Sequence, residues 1–306
     1  CVDCYPYYAC EFSEFIIRAR ALAPETVLIG CHTVPLIILQ EALRQPDKLQ
    51  YFKAFIDSCD VFVTYMRGAE SYFRLLTDTP VAYCPVPYPV EHVRQYWRPR
   101  EEKDRVILCA GETSRSINLM SHFVARRLRD RYPDFHIHLG PVSHSGLVGP
   151  VWSDNRYPHM HAVSLDEGTY EVLSYLPWQE FLRSVARTYL VVYTDLHWTK
   201  GRFPTDAAGV GTPCIGLAAD SQRELFPETT CTEPFEADRM IEIASRLIED
   251  ASFYEEVQHT AATRLEEYSY DRSVKRFHHL LYCVASGGFG DWEPVPWPLR
   301  ASHDEA

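Results

Sequence analysis

The sequence has little positive charge and no long hydrophobic run. It carries 30 Lys and Arg residues against 42 Asp and Glu residues, a formal net charge of −12 at pH 7. Nucleic acids and anionic lipid surfaces attract basic proteins, so this balance argues against both as general partners. No apolar stretch reaches the roughly 18 residues of a membrane span, and no basic-then-apolar signal opens the chain. We therefore predict a cytoplasmic protein with no integral membrane span and no nucleic-acid partner.

The cysteines lack the spacing of a metal site. Most of the ten lie within apolar runs, as Cys84 and Cys109 do, which is typical of buried free thiols in a reducing compartment. Cys1, Cys4 and Cys10 lie close together, but no second Cys or His pair follows them at short spacing. We predict that the protein binds no metal.

The length and the pattern of apolar residues predict two α/β lobes. At 306 residues the chain is long enough for two domains, because one hydrophobic core seldom grows beyond about 250 to 300 residues. Short apolar runs of strand type at 26–30, 61–64, 106–109 and 136–139 alternate with helical patterns. Such alternation indicates parallel sheets with right-handed crossovers. The proline-dense segment 85–89 indicates a boundary between the lobes.

Two glycine-containing loops of the second half follow predicted strands. Gly111 and Arg115 come after the strand 106–109, and Gly140 ends the strand 136–139. Parallel sheets bind ligands at the carboxyl ends of their strands. Guanidinium groups suit phosphate oxygens because they can donate two parallel hydrogen bonds. We therefore predict that Arg115 binds a phosphate group near Gly111 and Gly140.

A third loop, before a predicted helix, contains Lys200, Gly201 and Arg202. A helix N-terminus favours an anion, and two cations beside it predict a diphosphate site. Asp206, which we expect in the first turn of this helix, would accept hydrogen bonds from the two hydroxyls of a ribose. The alternative for Lys200 and Arg202 is an ordinary solvated loop.

The segment 206–215 resembles a known family. Its sequence, Asp-Ala-Ala-Gly-Val-Gly-Thr-Pro-Cys-Ile, is similar to the Glu-Ala-Met-Ala-x-Gly-x-Pro-Val-Ile segment of retaining GT-B glycosyltransferases of family four. The segment 133–140 resembles the family's Pro-Asp strand that ends in Gly, and 28–33 resembles its strand that ends in His-Asp or His-Thr. The resemblance covers about residues 26–282.

The resemblance implies an α/β fold of two Rossmann-like lobes in the GT-B architecture. The family's earlier strands and its glycine-rich loop are not in this sequence, which begins with Cys1, so we expect an incomplete or reduced N-terminal lobe. We predict an acceptor-side Rossmann-like lobe over 1–100 and a nucleotide-sugar-binding Rossmann-like lobe over 101–268. A crossover helix and tail would occupy 269–306.

The implied activity is that of a glycosyltransferase, of hexosyltransferase type. A sugar would pass from a nucleoside diphosphate sugar to an unidentified hydroxyl acceptor with retention of configuration. The resemblance implies neither a metal nor a cofactor, since the nucleotide sugar is a substrate. Gly211 and Thr212 of the resembling segment would complete the donor site. A helix stop that leads into a buried strand is the alternative reading of Gly209, Gly211 and Pro213.

The predicted catalytic residues are His32 and Asp195. The strand before His32 would deliver its imidazole to a cleft between the lobes, although a core histidine is the alternative. The family has a glutamate eight positions before the residue matched by Asp206, where this sequence has Trp198. We expect that Asp195, in a shifted loop, takes the place of that glutamate.

Two other functions share this architecture. The loss of the glutamate at Trp198 also fits a GT-B-like binding or scaffold subunit without catalysis. A nucleotide-sugar epimerase is the third reading. Incubation with nucleotide sugars separates them, because they predict transfer or hydrolysis, binding without turnover, and an epimerised product, respectively.

Overall fold

A computed structural model describes residues 2–4, 8–32, 39–40, 43–110, 118–142, 170–174, 176–194, 202–233 and 235–292. The chain forms two compact units. The described part of the first lies within Cys1–Tyr88 and Glu267–Leu299. That of the second lies within Pro89–Leu196 and Gly201–Glu266. The roles assigned to the lobes from the sequence stay predictions.

Strands and helices alternate through both units. The strands are β1 (Val2–Asp3), β2 (Ile29–His32), β3 (Val61–Thr64), β4 (Val81–Tyr83), β5 (Asp104–Ala110), β6 (His136–Val142), β7 (Tyr170–Ser174), β8 (Thr188–Tyr193), β9 (Cys214–Leu217) and β10 (Thr230–Cys231). The helices are α1 (Ala9–Leu22), α2 (Pro46–Asp57), α3 (Arg67–Arg74), α4 (Val90–Arg94), α5 (Asn118–Arg131), α6 (Trp178–Arg187), α7 (Arg202–Gly209), α8 (Asp220–Leu225), α9 (Ala237–Glu249), α10 (Ala251–Leu265) and α11 (Tyr270–Ala285).

The first unit is built on a parallel sheet with the order β1-β2-β3-β4. Successive residues of a strand point to opposite faces, so each strand supplies two cores. Phe62 packs with Phe52 and other residues of α1, α2 and α3 on one face. Val61 and Val63 pack on the other face with Leu280 of α11. The first unit is therefore a sheet between two helical layers.

The second unit is built on a parallel sheet with the order β10-β9-β8-β5-β6-β7. Numbered by occurrence within this unit, its strands lie in the order 3-2-1-4-5-6, which is the Rossmann order. The order reverses between β5 and β8. The predicted α/β class with two Rossmann-like lobes is thereby confirmed.

One strand differs from its prediction for a visible reason. The run 26–30 was expected as a strand, but β2 begins only at Ile29. Just before it, the Leu28 amide donates to the Asp60 carboxylate at 2.7 Å, and Arg20 donates to the Thr26 carbonyl at 3.1 Å. Side chains thus bind the Leu28 N–H and the Thr26 carbonyl in place of strand partners. Within the described ranges, no helix is both long and apolar enough to cross a membrane.

Candidate nucleotide site

The reversal of strand order in the second unit defines where a ligand would bind. A crevice opens outside the carboxyl ends of adjacent strands whose connections run in opposite directions. Here those strands are β5, which ends at Ala110, and β8, which ends at Tyr193. The segments that follow these two strands contain most of the donor-site residues predicted from the sequence. Five of them lie outside the described residues: Gly111, Arg115, Asp195, Lys200 and Gly201.

Gly140 lies on the predicted edge and has a conformation that favours glycine. Its φ is 132°, which side chains with a Cβ rarely adopt. It follows Leu139, after which the register between β6 and β7 shifts. The backbone therefore explains this glycine, and its contact with a donor stays a prediction.

Arg202 is the first residue of α7 and is exposed. The Thr205 hydroxyl donates to the Arg202 carbonyl at 2.7 Å, and Pro204 lies in the same first turn. Proline is tolerated in a first turn because the backbone N–H that it lacks would have no partner within the helix. The helix N-terminus and an exposed cationic side chain thus come together, as an anion site requires.

The prediction that Asp206 lies in the first turn of its helix is wrong. The helix begins at Arg202, so Asp206 is its fifth residue and lies in the second turn. Pro204 was a signal for this earlier start. Asp206 is 2% exposed, and its Oδ1 accepts a hydrogen bond from the indole Nε1 of Trp178 at 3.2 Å.

Trp178, which the sequence analysis did not single out, contacts the predicted site residue Asp206. It opens α6 directly after Pro177, and its ring stacks on His92 with a centroid distance of 5.8 Å and an angle of 28°. In the sequence it is a tryptophan that directly follows a proline. Only the fold places it beside Asp206, which is 28 residues later in the chain.

Gly211 and Thr212 lie at the opposite edge of the sheet from the predicted donor site. The Thr212 amide donates to the Ala207 carbonyl at 2.8 Å, and the Gly211 amide donates to the Ala208 carbonyl at 3.4 Å. These two bonds, with a φ of 71° at Gly211, form a Schellman motif that ends α7. The helix-stop alternative thus describes this segment. The structure does not bring Gly211 and Thr212 to the carboxyl ends of the strands.

Thr212 is engaged by a buried lysine. Its hydroxyl accepts from Lys103 Nζ at 2.9 Å and donates to the Val185 carbonyl at 2.8 Å. Lys103 also donates to the Ala186 carbonyl at 2.9 Å. Burial disfavours the charged amine and lowers the pKa of Lys103 from 10.5 to about 7, and the nearby Arg98 adds to this shift. These residues hold the amino-terminal edge of the sheet together.

His32 is fully buried in the first unit. It is the last residue of β2, and its ring lies edge-on to Phe73 at 4.6 Å and to Phe62 at 6.1 Å between centroids. Both phenylalanines belong to the core under α2 and α3. The packing favours the core alternative over a cleft-facing imidazole, and a catalytic role for His32 stays a prediction.

Two Rossmann-like units, each built on a parallel sheet, define the class of the fold as GT-B. Neither the known family models nor the curated proteins gave a match to the sequence. Solved structures did. The chain is similar to a UDP-forming α,α-trehalose-phosphate synthase from Burkholderia xenovorans, with a TM-score of 0.72 and 13% identity. The match covers 93% of this chain and 73% of that one.

Two further structures of this kind contain ligands. One is the E. coli trehalose-6-phosphate structure bound with UDP-2-fluoro glucose, with a TM-score of 0.67 and 8% identity over 89% of this chain and 71% of that one. The other is the Burkholderia xenovorans synthase in complex with glucose-6-phosphate, with a TM-score of 0.64 and 10% identity over 88% and 72% of the two chains. At such identities the likeness shows the fold alone.

Proposed function

We propose that this protein transfers a sugar from a nucleoside diphosphate sugar to a hydroxyl acceptor. The observation that carries the proposal is the pair of parallel sheets that matches UDP-forming synthases over 93% of the chain. The strand order of the second unit adds a crevice suited to a nucleotide at β5 and β8. A UDP-sugar is the first donor to test, and a sugar phosphate is the first acceptor.

The leaving diphosphate would lie at the N-terminus of α7. Arg202 begins that helix, and Lys200 and Gly201 precede it in the sequence. Arg115, after β5, would supply a second guanidinium group from the neighbouring strand. Fixed positive charge and a helix dipole would stabilise the departing diphosphate, a task that a metal ion performs in many other enzymes. We therefore propose a metal-independent reaction with retention of configuration and no cofactor.

The remaining residues have assigned roles in this proposal. Asp206 would bind the ribose hydroxyls, and Gly111 and Gly140 would allow the donor to approach the backbone closely. His32 and Asp195 would be the catalytic residues that act on the donor sugar. The burial of His32 makes it the assignment most exposed to refutation.

The test is an assay of nucleotide release and sugar transfer. The protein is incubated with UDP-, ADP- and GDP-sugars, with and without a sugar phosphate and with and without EDTA, and the products are separated by chromatography. We expect release of one nucleoside diphosphate, faster with the acceptor and unchanged by EDTA. Binding is measured in parallel by calorimetry. A protein that binds none of UDP, ADP and GDP would contradict the proposal.

A catalytically lost binding subunit is the second candidate, and Trp198 is the observation that favours it. The same assay separates the two. Tight binding of a nucleotide sugar with neither hydrolysis nor transfer would replace the enzyme by the binding subunit. An epimerised sugar nucleotide would replace both.

A further inference from the structure

Trp178 and Asp206 join the beginnings of two helices in the second unit. The Trp178 indole lies at the first position of α6, and its N–H reaches the Asp206 carboxylate in the second turn of α7 at 3.2 Å. Both helices begin on the side of the sheet where the strands end. The hydrogen bond therefore lies beside the region proposed for the nucleotide, and it connects two helices that the sheet alone would leave independent.

The indole ring is itself held in place. His92, at the third position of α4, stacks on it, and Tyr96 lies edge-on to His92 with a centroid distance of 6.0 Å. The guanidinium of Arg183, one turn further along α6, lies 5.4 Å from the Tyr96 ring. A ring supported in this way has little freedom to rotate, so its N–H keeps a fixed direction.

A carboxylate with 2% exposure can be approached from few directions. Its orientation then decides whether a ligand hydroxyl can be bound at all. Torsions at the end of an Asp side chain are broad, and a hydrogen bond to one oxygen restricts them. A carboxylate has about four lone-pair sites, so a bond from Trp178 leaves acceptor capacity for other donors. In a buried place such a bond is stronger than in water.

We infer that Trp178 is a positioning residue for ribose recognition. It orients the Asp206 carboxylate so that this group accepts hydrogen bonds from the 2′- and 3′-hydroxyls of a nucleoside diphosphate. This inference rests on the proposed function. An oriented acceptor avoids the ordering that a free side chain would undergo on binding, so affinity for the ribose depends on the indole N–H.

The test compares UDP with 2′,3′-dideoxy-UDP by calorimetry for the parent, Trp178→Phe and Asp206→Asn. Phenylalanine keeps an aromatic ring beside His92 but removes the N–H donor and one ring of the indole. We expect Trp178→Phe to weaken UDP binding about fivefold to tenfold. Binding of 2′,3′-dideoxy-UDP should change less than about twofold, because it has no hydroxyl for Asp206. If Trp178 had only a structural role, Trp178→Phe would weaken the binding of both ligands equally.

Trp97→Phe is the matched control. It makes the same substitution in the same unit, at a tryptophan whose ring lies next to Gly211 at the other edge of the sheet. It should leave both affinities unchanged. In the Asp206→Asn background, Trp178→Phe should have no further effect on UDP. Trp178→His, which keeps a ring with an N–H, is the second variant, and it should retain the parent's discrimination between the two ligands if Trp178→Phe fails to fold.

The outcomes separate the inference from the function on which it rests. Weaker UDP binding in Asp206→Asn alone, with Trp178→Phe like the parent, overturns the inference and leaves the nucleotide site intact. An Asp206→Asn variant that treats both ligands as the parent does removes Asp206 from the ribose, and Trp178 with it. A parent that binds no nucleoside diphosphate overturns the proposed function itself.

Discussion

Lys103 buries an amino group against two neutral acceptors. Its Nζ donates to the Ala186 carbonyl and to the Thr212 hydroxyl, and the residue is 8% exposed. Glu102, the neighbouring residue, favours the charged form only weakly compared with burial. The folded protein therefore holds this lysine with a pKa of about 7, whereas the unfolded chain restores its ordinary value of 10.5.

Lys103 should make stability rise with pH. Between about pH 7 and 10.5 the unfolded state binds more protons at this residue, so the free energy of unfolding increases with pH. The destabilising effect of burial is complete below about pH 7 and declines as the pH rises. Urea unfolding of the parent between pH 7.5 and 8.5 should show a slope up to about 1.4 kcal/mol per pH unit greater than that of Lys103→Met.

The exposed Lys275, on α11, provides the control for this measurement. Lys275→Met should keep the slope of the parent. The range stops at pH 8.5 because buried thiols act in the opposite direction at higher pH, where they ionise in the unfolded chain. Equal slopes for the parent and Lys103→Met would show that Lys103 is charged in the folded state.

Arg202 carries the described part of the proposed diphosphate site. Arg202→Ala should weaken binding of the nucleoside diphosphate by about 1.5 to 3 kcal/mol, because a charged hydrogen-bond donor is lost. Arg187→Ala is the matched control, since Arg187 ends α6 and pairs with Asp104 at the other edge of the sheet. Calorimetric affinities that fall equally in both variants would point to general loss of charge instead of a site.

His32→Ala should destabilise the first unit. The imidazole fills space between Phe62 and Phe73, so its removal leaves a cavity that lowers the free energy of unfolding by about 2 to 4 kcal/mol. Thermal unfolding and single-turnover rates should be measured on the same samples. A variant that keeps the parent's melting temperature and loses turnover would contradict the core role and restore His32 as a catalytic residue.

At the scale of elements, the end of α7 is defined by Gly211. A Cβ at this position would lie 2.8 Å from ring atoms of Trp97, and the φ of 71° already disfavours any side chain. Gly287 has a φ of 70°, but among the residues that the structure describes nothing lies within 4 Å of its Cβ position. A comparison of alanine variants at the two glycines therefore separates the cost of backbone strain from the cost of a steric clash with Trp97.

Gly287→Ala should destabilise the protein by about 1 to 2 kcal/mol through backbone strain alone. Gly211→Ala should lower the free energy of unfolding by clearly more, because the Trp97 ring must also move. Calorimetric unfolding of both variants measures the difference. Gly211→Ala, at a temperature where it is folded, should still bind the nucleoside diphosphate as the parent does. Lost affinity with unchanged unfolding would return Gly211 to the donor site.

Elements with a clear apolar pattern could be predicted from the sequence, and a short polar helix could not. The strand Val61–Thr64 has the bounds that its apolar run predicts. The short helix α8 escaped prediction because Asp220, Ser221, Gln222 and Glu224 read as a polar loop, yet all four are buried. Only tertiary packing decides such a segment.

The candidate site was predictable only in part. The position of Arg202 at a helix N-terminus followed from a local signal, the loop before an amphipathic run. The edge on which Thr212 lies was missed, although a helix that returns along a parallel sheet carries its first and last turns to opposite edges. Trp178 and Asp206 meet through the fold, so no spacing in the sequence could reveal their contact.

At the scale of the whole molecule, most of the cysteines that the structure describes lie in the interior. Among the described residues the free thiols of Cys4, Cys31, Cys59, Cys84 and Cys109 are buried, and burial raises the pKa of each to about 12. Cys10 is the half-buried member of the described set. Most of the described cysteines are thus buried free thiols, as the apolar runs around them predict.

The thiols should react in two distinct classes. In native buffer at pH 8, Ellman's reagent should modify Cys10 quickly and these five buried thiols only after denaturant is added, because thiolates are the reactive form. Cys10→Ser should remove one equivalent from the fast class. Rapid native reaction of Cys84 or Cys109, identified by mass spectrometry, would contradict the burial of these side chains.

The return of the last described helix to the first unit has a consequence for synthesis on the ribosome. The chain makes β2, β3 and β4 early, yet Leu280, Cys283 and Trp292, which cover one face of that sheet, are made last. While the roughly 180 intervening residues, Pro89–Glu266, are translated, this face of the sheet stays uncovered by these three residues. The first unit can therefore complete its fold only after the unit encoded in its middle has been synthesised.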